Sequence, residues 1–266
     1  MLLLFFLFIT RLLVVSRSFT HNGGIGFCQR QIYQRRPILS VGPDQAPPTE
    51  DDYYKEFSFF EKVLFKRFAD SVSVELSGSS EYSAKNYDEL MRQISKMAST
   101  RPLPEVNRKG RNMLVRLFPS WLLPAFRVMF AKPFPRFSAW MNSWVTKWTT
   151  NWLMGKAMTY DLELNDGSIG KDQLLVVEKC RFLESTGCAR TCLHTCKIAT
   201  QDFFMEDMAI PVTLKPNFTD YSCRFEFGNV PIDVTDDPVI MSQPCLSICT
   251  QPKKKSGVPC VQRNPL

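Results

Sequence analysis

Apolar positions in this chain change their period partway along. Phe57, Phe60, Val63, Leu64 and Phe68 recur every three or four residues, which predicts an amphipathic helix over 54–74. A second helix is expected from Tyr87 to Met97, stopped at Arg101-Pro102 because the residue before a proline resists the helical conformation. Asn112–Phe118 and Leu122–Phe130 read as shorter helices separated by Pro119 and Pro124. From Thr159 the period becomes two. Tyr160, Leu162 and Leu164 alternate with acids, Asn165-Asp166-Gly167 makes a turn, and Leu174–Glu178 returns as a second strand. Val212–Leu214 and Tyr221–Phe227 predict another hairpin, with Tyr221, Cys223, Phe225 and Phe227 on one face. The fold class expected is α+β, a helical N-terminal part followed by a small antiparallel-sheet, Cys-rich C-terminal part. No internal repeat is visible.

Between these halves lies an unusual predicted helix, Phe137–Lys156. Trp140, Trp144, Trp148 and Trp152 stand four residues apart. At about 100° per residue each step advances only about 40°, so the four indoles form one slowly winding stripe. Met141, Val145 and Met154 widen it. Such a stripe serves as a core face, as an apolar ligand groove, or as a membrane-facing surface, since Trp favours membrane interfaces.

The N-terminus stands apart from this pattern. Leu2–Ile9 is an unbroken apolar run, too short to span a bilayer and followed closely by Arg11. No acid precedes Asp44, whereas Arg11, Arg17, Arg30, Arg35 and Arg36 all do. That composition is expected of an organelle transit peptide, with a secretory signal as the alternative. Pro37, Pro43, Pro47 and Pro48 make residues 37–52 a linker. The expected organisation is leader and linker over 1–44, a helical region over 53–157, a Cys-rich domain over 158–250 and a flexible tail over 251–266. The leader also accounts for most of the charge. Of 33 basic and 26 acidic side chains, five basic and no acidic ones fall in residues 1–43, which leaves 28 against 26. A remainder so nearly neutral has no electrostatic footprint for nucleic acid.

Eight of the nine cysteines fall between Cys180 and Cys260. Cys188, Cys192 and Cys196 are spaced by four, which on a helix points their Cβ atoms along one face. Cys245 and Cys249 repeat the spacing, and Cys180 and Cys223 are placed to converge from strands. Soft thiolates select iron–sulfur clusters, zinc or copper(I), yet no standard zinc-finger or ferredoxin spacing is present. Metal, disulfides and buried free thiols all remain open on spacing alone. Asn217-Phe218-Thr219 is a formal glycosylation acceptor and belongs with the disulfide alternative. His194 falls opposite the cysteine face, as a hydrogen-bonding residue. With only His21 and His194 in the chain, a multi-histidine iron site is excluded. No Ser/His/Asp set, P-loop or dinucleotide fingerprint occurs.

The runs VEKCRFLESTGCARTCLHTCK, TQDFF, KPNFTDYSCRFEFG and QPCLSIC resemble the C-terminal domain of the dwarf-27 family. WLMG at Trp152–Gly155 and PSWL at Pro119–Leu122 extend the resemblance over roughly residues 55–250. These are the β-carotene isomerases of strigolactone (carlactone) biosynthesis and their close paralogues. The resemblance implies a plastid, iron-binding enzyme that interconverts all-trans- and 9-cis-β-carotene. It implies β-carotene and related carotenoids as partners and a downstream carotenoid cleavage enzyme, and the Trp140–Trp152 stripe adds the expectation of a peripheral contact with plastid membranes. The iron, mononuclear or clustered, is expected on Cys188, Cys192 and Cys196 with further ligands from Cys180, Cys223, Cys245 or Cys249. Glu184 and Asp202 are the acids nearest the motif, able to protonate a polyene. Trp140, Trp144, Trp148, Trp152, Phe203 and Phe204 are expected to line or gate a hydrocarbon groove. A non-catalytic thiol-rich binding or redox-sensing protein is the alternative.

Overall fold

The first helix begins where a reciprocal cap satisfies its free amides. Ser58 Oγ accepts from Glu61 N–H and the Glu61 carboxylate accepts from Ser58 N–H at 3.0 Å, which launches α1 (Phe59–Ser77). Gly78, at φ 80°, ends it in the left-handed region that favours glycine. Helix α2 (Tyr87–Thr100) starts on the Asn86 side chain, which accepts from Glu89 N–H at 2.9 Å, and stops before Pro102 as expected. This computed structural model describes residues 57–241. The leader, the linker and the tail lie outside them, as do Cys28, Cys245, Cys249 and Cys260.

Helix α3 (Leu103–Val115) begins nine residues before the helix expected at Asn112. Its buried face is only Leu103, Val106, Gly110 and Met113, and the polar run Asn107–Arg111 conceals that face in the sequence. Gly110 is required by close approach. A Cβ there would lie 2.8 Å from Ala199 Cβ and 3.2 Å from the Thr195 carbonyl. α4 (Leu122–Phe126) passes into a π-helical turn, Arg127–Ala131, where a regular helix was expected throughout. The Trp-bearing helix is also divided. α5 (Pro135–Thr149) and α6 (Asn151–Met154) are separated at Thr150, and Gly155 at φ 90° turns the chain into the sheet.

Strands β1 (Ala157–Glu163) and β2 (Ile169–Val177) form the first expected hairpin, with Tyr160 opposite Leu174. β3 (Val212–Pro216) and β4 (Cys223–Phe227) form the second. β2 and β4 pair antiparallel, Leu175 facing Phe225 and Val177 facing Cys223, giving one sheet in the order β1-β2-β4-β3. Helix α5 packs on β1, β2 and β4. One apolar core runs from Phe57 and Phe68 through Leu90 and Val106 to Leu175, Phe225 and Phe227, so helices and sheet bury each other's apolar faces. The chain is α+β, as its sequence reads. No described helix is long and apolar enough to cross a membrane.

Candidate functional site

The connection between the hairpins carries the cysteines, and it is a chain of short turns. Cys180 precedes α7 (Arg181–Thr186), which Gly187 ends at φ 56°. Cys188 then sits extended, at φ −141° and ψ 114°, as the cap of α8 (Ala189–Thr191). A π-helical stretch, Cys192–Lys197, follows, then α9 (Ile198–Asp202) and a second π-helical stretch, Phe203–Met208. The expectation of three thiols on one helical face is therefore corrected for Cys188. A left-handed glycine breaks the helix just before it, and π-helical turns are wider than α-helical ones.

Hydrogen bonds fix this connection to its surroundings. Cys180 N–H donates to the Tyr221 carbonyl at 2.7 Å, extending the β2–β4 pairing that places Val177 beside Cys223. The Arg190 guanidinium donates to the carbonyls of Ala98 at 2.8 Å and Arg101 at 3.1 Å, closing the exposed end of α2. Lys197, fully buried, pairs with Asp237 at 2.7 Å beside α10 (Pro238–Met241) and also donates to Gln201 and the Leu214 carbonyl. His194 Nδ1 stands 2.9 Å from Asn107 Oδ1 on α3, so this histidine is a hydrogen-bonding residue, as expected.

Four thiols come within electrostatic reach of one another: Cys180, Cys192, Cys196 and Cys223. Cys188 is not among them. Burial pushes Cys192 and Cys223 well above the ordinary thiol range, with the neighbouring sulfurs adding to it. Cys196 is pushed up to about 12, by burial first and then by Cys180. Cys180 is raised by burial as well. All five described cysteines are free. Burial thus favours the protonated form of these thiols.

Four convergent thiols have the right chemistry for soft metals. The described side chains nevertheless do not fit an ion by themselves: among them, no three His, Cys, Asp or Glu groups are arranged to hold one. The remaining expected ligands, Cys245 and Cys249, lie outside the described residues.

The two expected acids have different surroundings. Glu184 is half-exposed and paired with Lys179 at 2.6 Å. Asp202 is raised above the usual carboxylate range by partial burial first and then by Glu206, with Arg111 opposing. Arg111 itself forks onto Asp207 through Nε at 2.8 Å and Nη2 at 3.0 Å, and also meets Glu206. Asp207 lines a cavity of about 470 Å³ whose apolar walls include Val115, Phe118, Leu123 and Val128.

Phe203 and Phe204 are buried and connect this cavity to the sheet. Phe118 stacks on Phe203 at 5.8 Å, Phe203 meets Phe204 at 5.3 Å, and Phe204 meets Phe227 of β4 at 5.4 Å. The sequence reading missed Phe118, which a short apolar run before Pro119 does not distinguish from ordinary core. It also missed Lys197, whose burial depends on an acid forty residues away. The tryptophans part company. Trp152 turns inward against Phe65 at 5.7 Å and Phe68 at 5.8 Å. Trp140, Trp144 and Trp148 continue from Phe137 as a ladder with ring centroids 5.7, 6.5 and 6.4 Å apart.

Residues 152–236, which contain all four convergent thiols, match the family described as "Beta-carotene isomerase D27-like, C-terminal". The protein named "Beta-carotene isomerase D27, chloroplastic" from Arabidopsis thaliana is 28% identical over 198 residues, covering 74% of this chain and 73% of that one. The protein of the same name from Medicago truncatula is 36% identical over 109 residues, 41% of this chain and 42% of its own. No solved structure matches the chain.

Proposed function

We propose that this chain is a D27-like protein, and that it is a plastid isomerase that turns a carotenoid double bond between trans and cis. The observation that carries the reading is the coincidence of the family match with the thiol-bearing connection and its aromatic bridge to the cavity. The finer reading is interconversion of all-trans- and 9-cis-β-carotene, supplying a carotenoid cleavage enzyme in carlactone formation.

A polyene double bond rotates only when its bond order falls. Asp202 is the more readily protonated of the two acids, because burial raises it whereas Glu184 is paired with Lys179. In the proposed step the Asp202 carboxyl gives its proton to a polyene carbon, forming a C–H bond and a delocalised cation. The former double bond turns, the carboxylate recovers the proton, and the double bond re-forms in the other geometry.

Iron dependence is a second part of the proposal. The convergent thiols are donors of the soft class that binds iron. The described side chains do not complete a site, so Cys245 or Cys249 would have to contribute.

The test is anaerobic purification, iron and sulfide quantification, and incubation with all-trans-β-carotene. The expected product is a cis isomer. Asp202→Asn should lower the rate by about 100-fold or more, while Glu184→Gln keeps it. Cys192→Ser should lose most of the iron with the fold retained. A metal-replete protein that converts no carotenoid overturns the isomerase reading in favour of a thiol-rich binding protein.

A further inference from the structure

The aromatic ladder of α5 is large, continuous and only partly covered. Trp148 is 60% exposed and Phe137 41%, at opposite ends of a run in which each ring touches the next. The preceding turn adds Val128, Met129 and Phe134, all more than half exposed. Aqueous surfaces rarely leave so much apolar area uncovered without a binding purpose.

The segment that carries it is one-signed in charge. Residues 106–160 carry nine basic side chains and no acidic one. Several are already engaged: Arg111 and Arg116 pair with acids elsewhere, and Arg136 reaches Asp166 at 3.6 Å. Lys147 stands 5.7 Å from the centre of the Trp144 ring, on the ladder itself. Lys132 lies exposed beside Val128 at the cavity rim.

We propose that the α5 ladder, with Lys147 and Lys132, is a docking surface for an anionic lipid bilayer. Indoles favour the boundary between headgroups and acyl chains, and each nearby lysine adds attraction to a negative surface. A second copy of this chain would bring like charges together, so the same features argue against a homodimer. The inference rests on the isomerase reading for its purpose, since a hydrocarbon substrate is dissolved in membranes. Its test uses lipid alone.

The experiment is flotation of the full chain with phosphatidylglycerol–phosphatidylcholine vesicles and with pure phosphatidylcholine vesicles, at low and high salt. Binding should favour the anionic vesicles and weaken with salt. Lys147→Gln should weaken it about fivefold, and Trp148→Ala should weaken it several-fold while its melting temperature stays near that of the parent. A chain that does not float overturns the proposal. So does binding unchanged when Lys147→Gln and Trp148→Ala are combined, whether it arises from the apolar run Leu2–Ile9 or elsewhere. Self-association in light scattering that Trp148→Ala abolishes would assign the face to a second copy and overturn it too. A protein that floats but isomerises nothing leaves this surface standing and sinks the isomerase reading instead.

Discussion

Two stretches of this chain repeat a residue type every fourth position, and they come to opposite ends. The tryptophans at 140, 144 and 148 ride one unbroken helix, the first two half-buried and Trp148 exposed. The cysteines at 188, 192 and 196 fall across a cap and a π-helical turn, with the thiols of Cys192 and Cys196 inside. Spacing fixes which side chains are neighbours on an element. What surrounds that face is decided by other elements, here Cys223 of β4 and the buried Lys197 for the thiols. The break at Thr150 makes the same point within the tryptophans, since it sends Trp152 into the core one turn after Trp148 leaves it.

The largest expected effect tests that divergence directly. Trp152→Ala removes an indole packed between Phe65 and Phe68 and should cost about 3–5 kcal/mol in denaturant unfolding. A loss below about 1 kcal/mol would mean that the indole is not core.

Acid gives the next largest effect, confined to the cysteine-bearing stretch. Burial, and then the charge of Arg190, hold His194 down from 6.5 to about 4. The unfolded chain takes up that proton below about 6.5 and the folded one only near 4, so acidification through this window favours unfolding. The loss grows to roughly 3 kcal/mol at the low end. Stability measured from pH 7 to pH 4 should therefore fall less steeply in His194→Gln than in the parent. Equal slopes would show that His194 titrates normally.

The smallest effect is expected at Trp148, whose replacement by Ala should change stability by no more than about 0.5 kcal/mol, because the ring is mostly in solvent. Comparable losses in Trp148→Ala and Trp152→Ala would erase the distinction.

Much of this architecture was legible because period and burial coincide. Phe57 to Phe68 marked the first helix, and Tyr160, Leu162 and Phe225 marked strands in both hairpins. The start of α3 was hidden because four small contacts within a polar stretch suffice when a glycine allows close packing. The π-helical turns have no residue signature distinct from an α-helix. At the site, the convergence of Cys180 and Cys223 was readable as strand-end geometry, and the pairing of Val177 with Cys223 supplies its cause. Phe118 was not readable, because its importance comes from a ring eighty-five positions further along the chain.

Gly110 carries a consequence that belongs to inheritance. Its missing methyl leaves room for the Ala199 methyl, so position 110 is not free to gain a side chain while Ala199 keeps its own. A Gly110→Ala lineage should survive best when position 199 has already become glycine, and a suppressor screen starting from Gly110→Ala should recover Ala199→Gly first. Two residues eighty-nine apart, neither of them reactive, would then descend as a pair.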